Sequence, residues 1–176
     1  MLLRKINSVL SLLCTVLLLD HAIFLGAWMI TKGGIEKSAG FLPWFLVGAM
    51  VMHAFISINL AISAHSEEKK ESVKSYNKEN IITLVQRISG IALLALTALH
   101  VAGATGVMTP PQVIHAIVPP LFYAVALAHT AVSTSKALIT LGVGNAKVVK
   151  VIDIAVKAIC AVTLVIDIVG FYLYVV

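Results

Sequence analysis

Charge is what this chain has least of. Only 12% of its 176 residues are charged, where a soluble domain carries about 25%, and that excludes an ordinary water-soluble fold. The acidic side is the thinner one, with 8 Asp and Glu against 13 Lys and Arg, a net charge of +5. In so apolar a chain this excess reads as membrane topology and contact with anionic lipid, not as nucleic-acid binding. Cysteine is nearly absent. Cys14 and Cys160 both lie inside apolar runs, which excludes a disulfide framework or a thiolate metal cluster and leaves two small packing residues. There is no nucleophile constellation, phosphate-binding glycine loop or dicarboxylate site.

What is present is long apolar sequence, with 60% hydrophobic residues and a mean hydropathy of +1.01. A helical crossing takes about 20 apolar residues. Only helices and closed barrels satisfy their backbone in lipid, and the runs here lack the alternation of barrel strands. The expectation is an all-α membrane protein, one transmembrane domain over residues 1–176. Its five spans fall at about 7–30, 41–64, 81–107, 120–141 and 146–176. The basic start and apolar run imitate a secretory signal, but Asp20-His21 interrupt it and no A-x-A site follows. It therefore reads as an uncleaved first span. Residues 65–80 are the most polar stretch and lie outside the lipid. The fourth span is expected to begin near Pro120, because proline suits a helix start better than its interior.

Basic residues set the orientation. Arg4, Lys5, Lys69, Lys70, Lys74, Lys78, Arg87, Lys136, Lys147, Lys150 and Lys157 collect on one side, and only Lys32 and Lys37 on the other. The N-terminus is thus expected in the cytoplasm and the C-terminus outside, in a multi-pass protein of the cytoplasmic membrane. Tyr172 and Tyr174 suit an outer aromatic belt. So do Trp28 and Trp44.

Four consecutive spans each carry one intramembrane histidine: His21, His53, His100 and His129. An ionisable group inside a membrane is costly and by default functional. Neutral imidazole is an iron ligand, and haem takes axial ligands from facing helices. At about 1.5 Å per residue, His21 and His100 stand ~21 and ~29 Å above the inner helix ends, and His53 and His129 each ~18 Å. Depth thus groups His21 with His100 on the outer side and His53 with His129 on the inner side, which suggests a di-haem cytochrome b. His65 and His115 fall at the interfaces.

The stretch L-V-Q-R-I-S-G-I-A-L-L-A-L-T-A-L-H-V, ending on His100, is similar to a helix entry and haem-ligand segment of a known family. M-H-A-F-I-S-I-N-L-A-I-S-A-H resembles its second-helix ligand segment, R-K-I-N-S-V-L with the later D-H its first helix, and the stretch from His129 to Gly142 its fourth. The chain thereby resembles, over most of its length, the five-helix di-haem cytochrome b anchor of succinate:quinone oxidoreductases. These are the menaquinone-linked succinate dehydrogenases and fumarate reductases. The resemblance implies two haems b, held by the same two histidine pairs, and menaquinone or menaquinol as the membrane substrate. It also implies a cytoplasmic iron–sulfur subunit and a flavoprotein subunit with FAD, which interconvert fumarate and succinate. The chain would then be an enzyme only as a subunit, and assembly into a dimer of heterotrimers stays open. The loops are short for the family. Leu127, two before His129, stands where some members carry a glutamate for transmembrane proton transfer.

Haem propionates need cations or hydrogen-bond donors. Arg87, Lys136, Asn7 and Ser8 are candidates, against ordinary anchoring or capping. Asp20, His115 and Asp167 are candidate proton acceptors for quinol chemistry, against second-shell bonding to a neighbour for the two aspartates. Asp153 and Lys157 are spaced for an ion pair on the fifth span. The rival readings are a cytochrome b of a hydrogenase or formate dehydrogenase, and a transporter with histidine relays and no haem. The transporter would need water-lined polar faces and broken helices.

Overall fold

The computed structural model describes residues 1–32, 41–68, 77–108 and 112–175, without side chains at 64–68, 77–80, 112–116 and 175. Five helices account for nearly all of it: α1 (Leu2–Ile30), α2 (Phe41–Glu68), α3 (Asn77–Ala104), α4 (Gln112–Thr140) and α5 (Ala146–Val175). Each contains a stretch long and apolar enough to cross a membrane, and the described residues include no strand. The protein is an all-helical, multi-pass membrane bundle.

The helices end where local chemistry stops them. After α4, Gly142 takes a φ of +96°, its N–H donates to the Ile139 carbonyl and that of Val143 to the Leu138 carbonyl. These bonds satisfy the last carbonyls and let the chain reverse. Asn145 then caps α5, its Oδ1 accepting from the N–H groups of Lys147 and Val148 at 3.0 and 3.3 Å, as an N-cap residue does.

One boundary departs from the expectation. α4 does not start at Pro120 but runs through Pro119 and Pro120 from Gln112. Two adjacent prolines remove the N–H groups that would reach the carbonyls of residues 115 and 116, and proline inside a water-exposed helix costs about 3 kcal/mol. Membrane helices tolerate this because neighbours and local adjustment re-satisfy the freed groups. The prolines stand in the third turn of α4, so the cost is two backbone bonds.

The packed pairs are α1 with α2, α4 and α5, and α4 with α3 and α5. α1 and α4 are therefore the spine. α5 covers one side of it, and α2 and α3 flank the other without joining its packed pairs to each other. Among the described residues, none of α1–α3, α2–α3 and α2–α4 is a packed pair. The buried cluster Leu18, Leu46, Leu93, Phe122, Tyr123 and Ala126 draws on all four of these helices.

Small residues bring α1 against α5. A Cβ on Gly170 would stand 2.8 Å from the Gly26 carbonyl oxygen, and one on Gly26 would stand 2.7 Å from Oδ1 of Asp167. Close backbone approach of this kind is how membrane helices associate where lipid supplies no hydrophobic drive. Higher up, the Trp28 and Tyr174 rings meet at 5.2 Å. The anticipated Asp153–Lys157 pair forms at 2.5 Å, and Asp153 also accepts from the Ser135 hydroxyl of α4. Cys14 and Cys160 are free thiols within the bundle.

Candidate functional site

The four intramembrane histidines are half-buried. His21 of α1 and His100 of α3 lie within electrostatic range of each other, and so do His53 of α2 and His129 of α4. Each pair thus belongs to two helices that are not among the packed pairs. Hydrophobic side chains separate the two levels. Leu93 falls between Gly90 and His100 along α3, and Ala126 between His129 and Phe122 along α4.

His129 is the most closely held. Its Nδ1 is 2.9 Å from the Ser89 hydroxyl, which also lies 3.2 Å from the Gln86 carbonyl oxygen. Its own carbonyl accepts from Ser133 at 2.7 Å, and Ser133 accepts from the Gln86 amide at 3.3 Å. Gly90 gives the ring room, since a Cβ there would stand 3.2 Å from Cε1. One turn further in, Lys136 Nζ donates to Thr83 Oγ1 at 2.8 Å. The contacts 83–136, 86–133 and 89–129 form an antiparallel ladder, three residues up α3 for about three back along α4.

The other three differ. His53 packs against the Asn7 backbone, and its Nδ1 is buried with no hydrogen-bond partner. One turn on from it, Ser57 and the Asn7 side chain bond reciprocally at 3.0 and 3.2 Å, tying α1 to α2. His100 lies flat on Phe122, with ring centroids 4.8 Å apart and planes within 3°. His21 interacts electrostatically with its neighbour Asp20, which is exposed.

The remaining candidates are distributed as follows. Ser8 is buried and donates to the Arg4 carbonyl, and Asn7 is engaged with Ser57. Neither side chain is aimed away from the protein. Arg87 is exposed, one turn from Thr83 on α3, and Lys136 is half-buried beside it. Asp167 is 0% exposed and neither carboxylate oxygen has a partner. It faces Gly26 and acts electrostatically on buried Tyr123, deep in the α1–α4–α5 seam. The side chains of His65 and His115 lie outside the described residues.

Sequence reasoning missed Ser89, Gly90, Gln86 and Ser133 as neighbours of His129. The motif Q-R-I-S-G was associated with His100 on its own helix, while its side chains turn to α4. Among the described residues no three His, Cys, Asp or Glu gather into a metal-type cluster.

Fold and side chains together define a class: a five-helix membrane bundle with paired intramembrane histidines. No family model matches this chain, and neither a curated protein nor a solved structure does.

Proposed function

We propose that this chain is the di-haem b membrane anchor and electron conduit of a succinate:quinone oxidoreductase. The observation that carries the reading is that four successive helices each hold one half-buried histidine, with His21 in electrostatic range of His100 and His53 of His129. Four unrelated structural histidines have no reason to sort into two such pairs. The residues present also suit the group. All four donors are imidazoles, and glycine stands where a Cβ would crowd a ligand ring.

In this reading His21 and His100 hold the outer haem, and His53 and His129 the inner one. The two haems, when bound, supply one-electron transfer between menaquinone in the membrane and cytoplasmic iron–sulfur and flavoprotein subunits acting on fumarate and succinate. The chain's own residues bind, orient and shield. The imidazoles fix the iron sites, and the layer of Leu18, Leu46, Leu93 and Ala126 keeps water from the space between them. Arg87, three turns into α3, and Lys136, one turn from the end of α4, stand on the side of the inner pair, where they suit propionates. Asp20, exposed beside His21, is the better placed of the two aspartates to take a proton from a quinol. The N-terminus lies in the cytoplasm and the C-terminus outside, in the cytoplasmic membrane.

A pyridine haemochrome assay with a dithionite-reduced spectrum, on the purified chain, tests the reading. Two haems b per chain are expected. His21→Ala or His100→Ala should remove one, and His53→Ala or His129→Ala the other. A single haem in the wild type would mean that one pair is misassigned. No haem in a well-folded preparation would overturn the cytochrome reading in favour of a histidine-relay transporter. Copurification of a flavoprotein and an iron–sulfur subunit separates this anchor from a hydrogenase-type cytochrome b.

A further inference from the structure

We infer that Ser89 is a positioning residue for His129, and that through it the two ligand pairs are held unequally. The inference rests on the reading above. A serine hydroxyl has one proton to give. The Gln86 carbonyl, 3.2 Å away, can only accept, so the hydroxyl proton goes there. Its oxygen then faces Nδ1 of His129 at 2.9 Å with a lone pair. Both contacts are satisfied together in only one tautomer, with Nδ1–H donating to Ser89 and the lone pair on Nε2. That is the form in which an imidazole binds iron, and a bond to its far N–H fixes the ring and raises its basicity as a ligand.

The surroundings support the assignment. Ser89 is the one polar residue on the wall of an open groove of about 380 Å³ between α3 and α4, so nothing else in that groove competes for its hydroxyl. Gly90 lets the ring lie against α3 at the height where the bond is made. Ser133 and Gln86 tie the His129 backbone to the same turn of α3. Among the described residues no side-chain hydroxyl is bonded to a ring nitrogen of His53, which meets the Asn7 backbone, or of His100, which lies on the face of Phe122. A more basic ligand favours the oxidised iron. Ser89 therefore lowers the potential of the haem held by His129 and leaves the other unaffected.

The test uses the full chain with its haems, as wild type, Ser89→Ala and Ser89→Thr. Redox titration followed optically resolves the two haems. Histidine-selective ¹⁵N NMR of the haem-free chain reads the His129 tautomer directly. The expected result for Ser89→Ala is an upward shift of one potential, that of the haem lost in His129→Ala, with the other unmoved. The NMR signal should change from a single Nδ1–H tautomer to a mixture. Ser89→Thr, which keeps the hydroxyl, should restore both. Loss of that haem in Ser89→Ala with retention in Ser89→Thr is the same result in stronger form. Unmoved potentials and an unchanged tautomer in Ser89→Ala, or a shift in the other haem, would overturn the inference while leaving the di-haem reading in place. A wild-type chain without haem would overturn both.

Discussion

Ser89 and Gly90 are neighbours on α3, and together they act on a ring forty residues away. Gly90 contributes by what it lacks. Adding a methyl group puts a carbon 3.2 Å from Cε1 of His129, closer than carbon atoms rest comfortably, and the ring has to retreat by a few tenths of an ångström. That movement lengthens the bond to Ser89 and shifts Nε2. Gly90→Ala is expected to retain one haem firmly and the haem held by His129 roughly 10–100-fold more weakly, the usual scale for disturbed ligand support. Haem content through successive gel-filtration steps measures it. Full retention of both would show that the ring has slack. The sequence exposed the histidines because an imidazole inside an apolar run is conspicuous by itself. It exposed the Asp153–Lys157 pair because both partners sit on one helix, four residues apart. It could not reveal the support of His129, because that depends on the register of α3 against α4, which no spacing within either helix encodes. The burial of Asp167 was hidden for the same reason. A carboxylate high in the fifth span is visible as a letter, but only the meeting of α5 with Gly26 removes it from the lipid.

Among the elements, the crossing of α1 and α5 has the least slack. A methyl group on Gly170 would meet the Gly26 carbonyl oxygen at 2.8 Å, and a backbone atom cannot swing aside. A methyl group on Gly26 would meet Oδ1 of Asp167 and Cγ2 of Ile166, both at 2.7 Å, and these side chains are themselves packed. Either change forces the helices apart, at about 1–3 kcal/mol for overpacking of this kind. Gly48 and Gly103 are the internal controls, since a Cβ at either meets nothing within 4 Å, and alanine there gains helix propensity. Thermal unfolding in detergent should therefore rank Gly170→Ala and Gly26→Ala well below the wild type, with Gly48→Ala and Gly103→Ala at or slightly above it. Equal melting temperatures across the four would mean that the crossing is loose. Existence and order of all five helices were legible from the apolar runs, because lipid imposes a length and leaves the backbone no alternative. The start of α4 was not. Proline is read as a helix start by a rule from water, where a lost hydrogen bond can be made to solvent instead. In an apolar environment the helix is the better refuge for the remaining backbone groups, so it continues through Pro119 and Pro120.

For the whole molecule, the open question is which way the bundle faces, since this decides which histidine pair lies nearer the soluble subunits. Electrostatics favours a cytoplasmic N-terminus. Among the described residues, Arg4, Lys5, Arg87, Lys136, Lys147, Lys150 and Lys157 all lie in the half of the bundle where α1, α3 and α5 begin, against Lys32 in the other, and basic loops are retained on the cytoplasmic side. The described structure adds a consistent placement, with Lys136 bonded to Thr83 one turn below the His129 support and Arg87 exposed beside it. At the opposite end the Trp28 and Tyr174 rings pack together as interfacial aromatics do. Labelling with a membrane-impermeant maleimide decides the matter, in a chain whose Cys14 and Cys160 have been changed to alanine. Thr31→Cys, just past α1, and Lys147→Cys, at the first turn of α5, replace exposed residues at opposite ends. Thr31→Cys should react in intact cells, and Lys147→Cys only after the membrane is opened. The reverse pattern would invert the bundle, put the Ser89-supported haem on the outer side, and remove the basic end from the docking face of any cytoplasmic iron–sulfur partner. The expected pattern instead sets His53 and His129 on the inner side, so that in the proposed di-haem reading the better supported site is the one next to a cytoplasmic partner, whichever way electrons run.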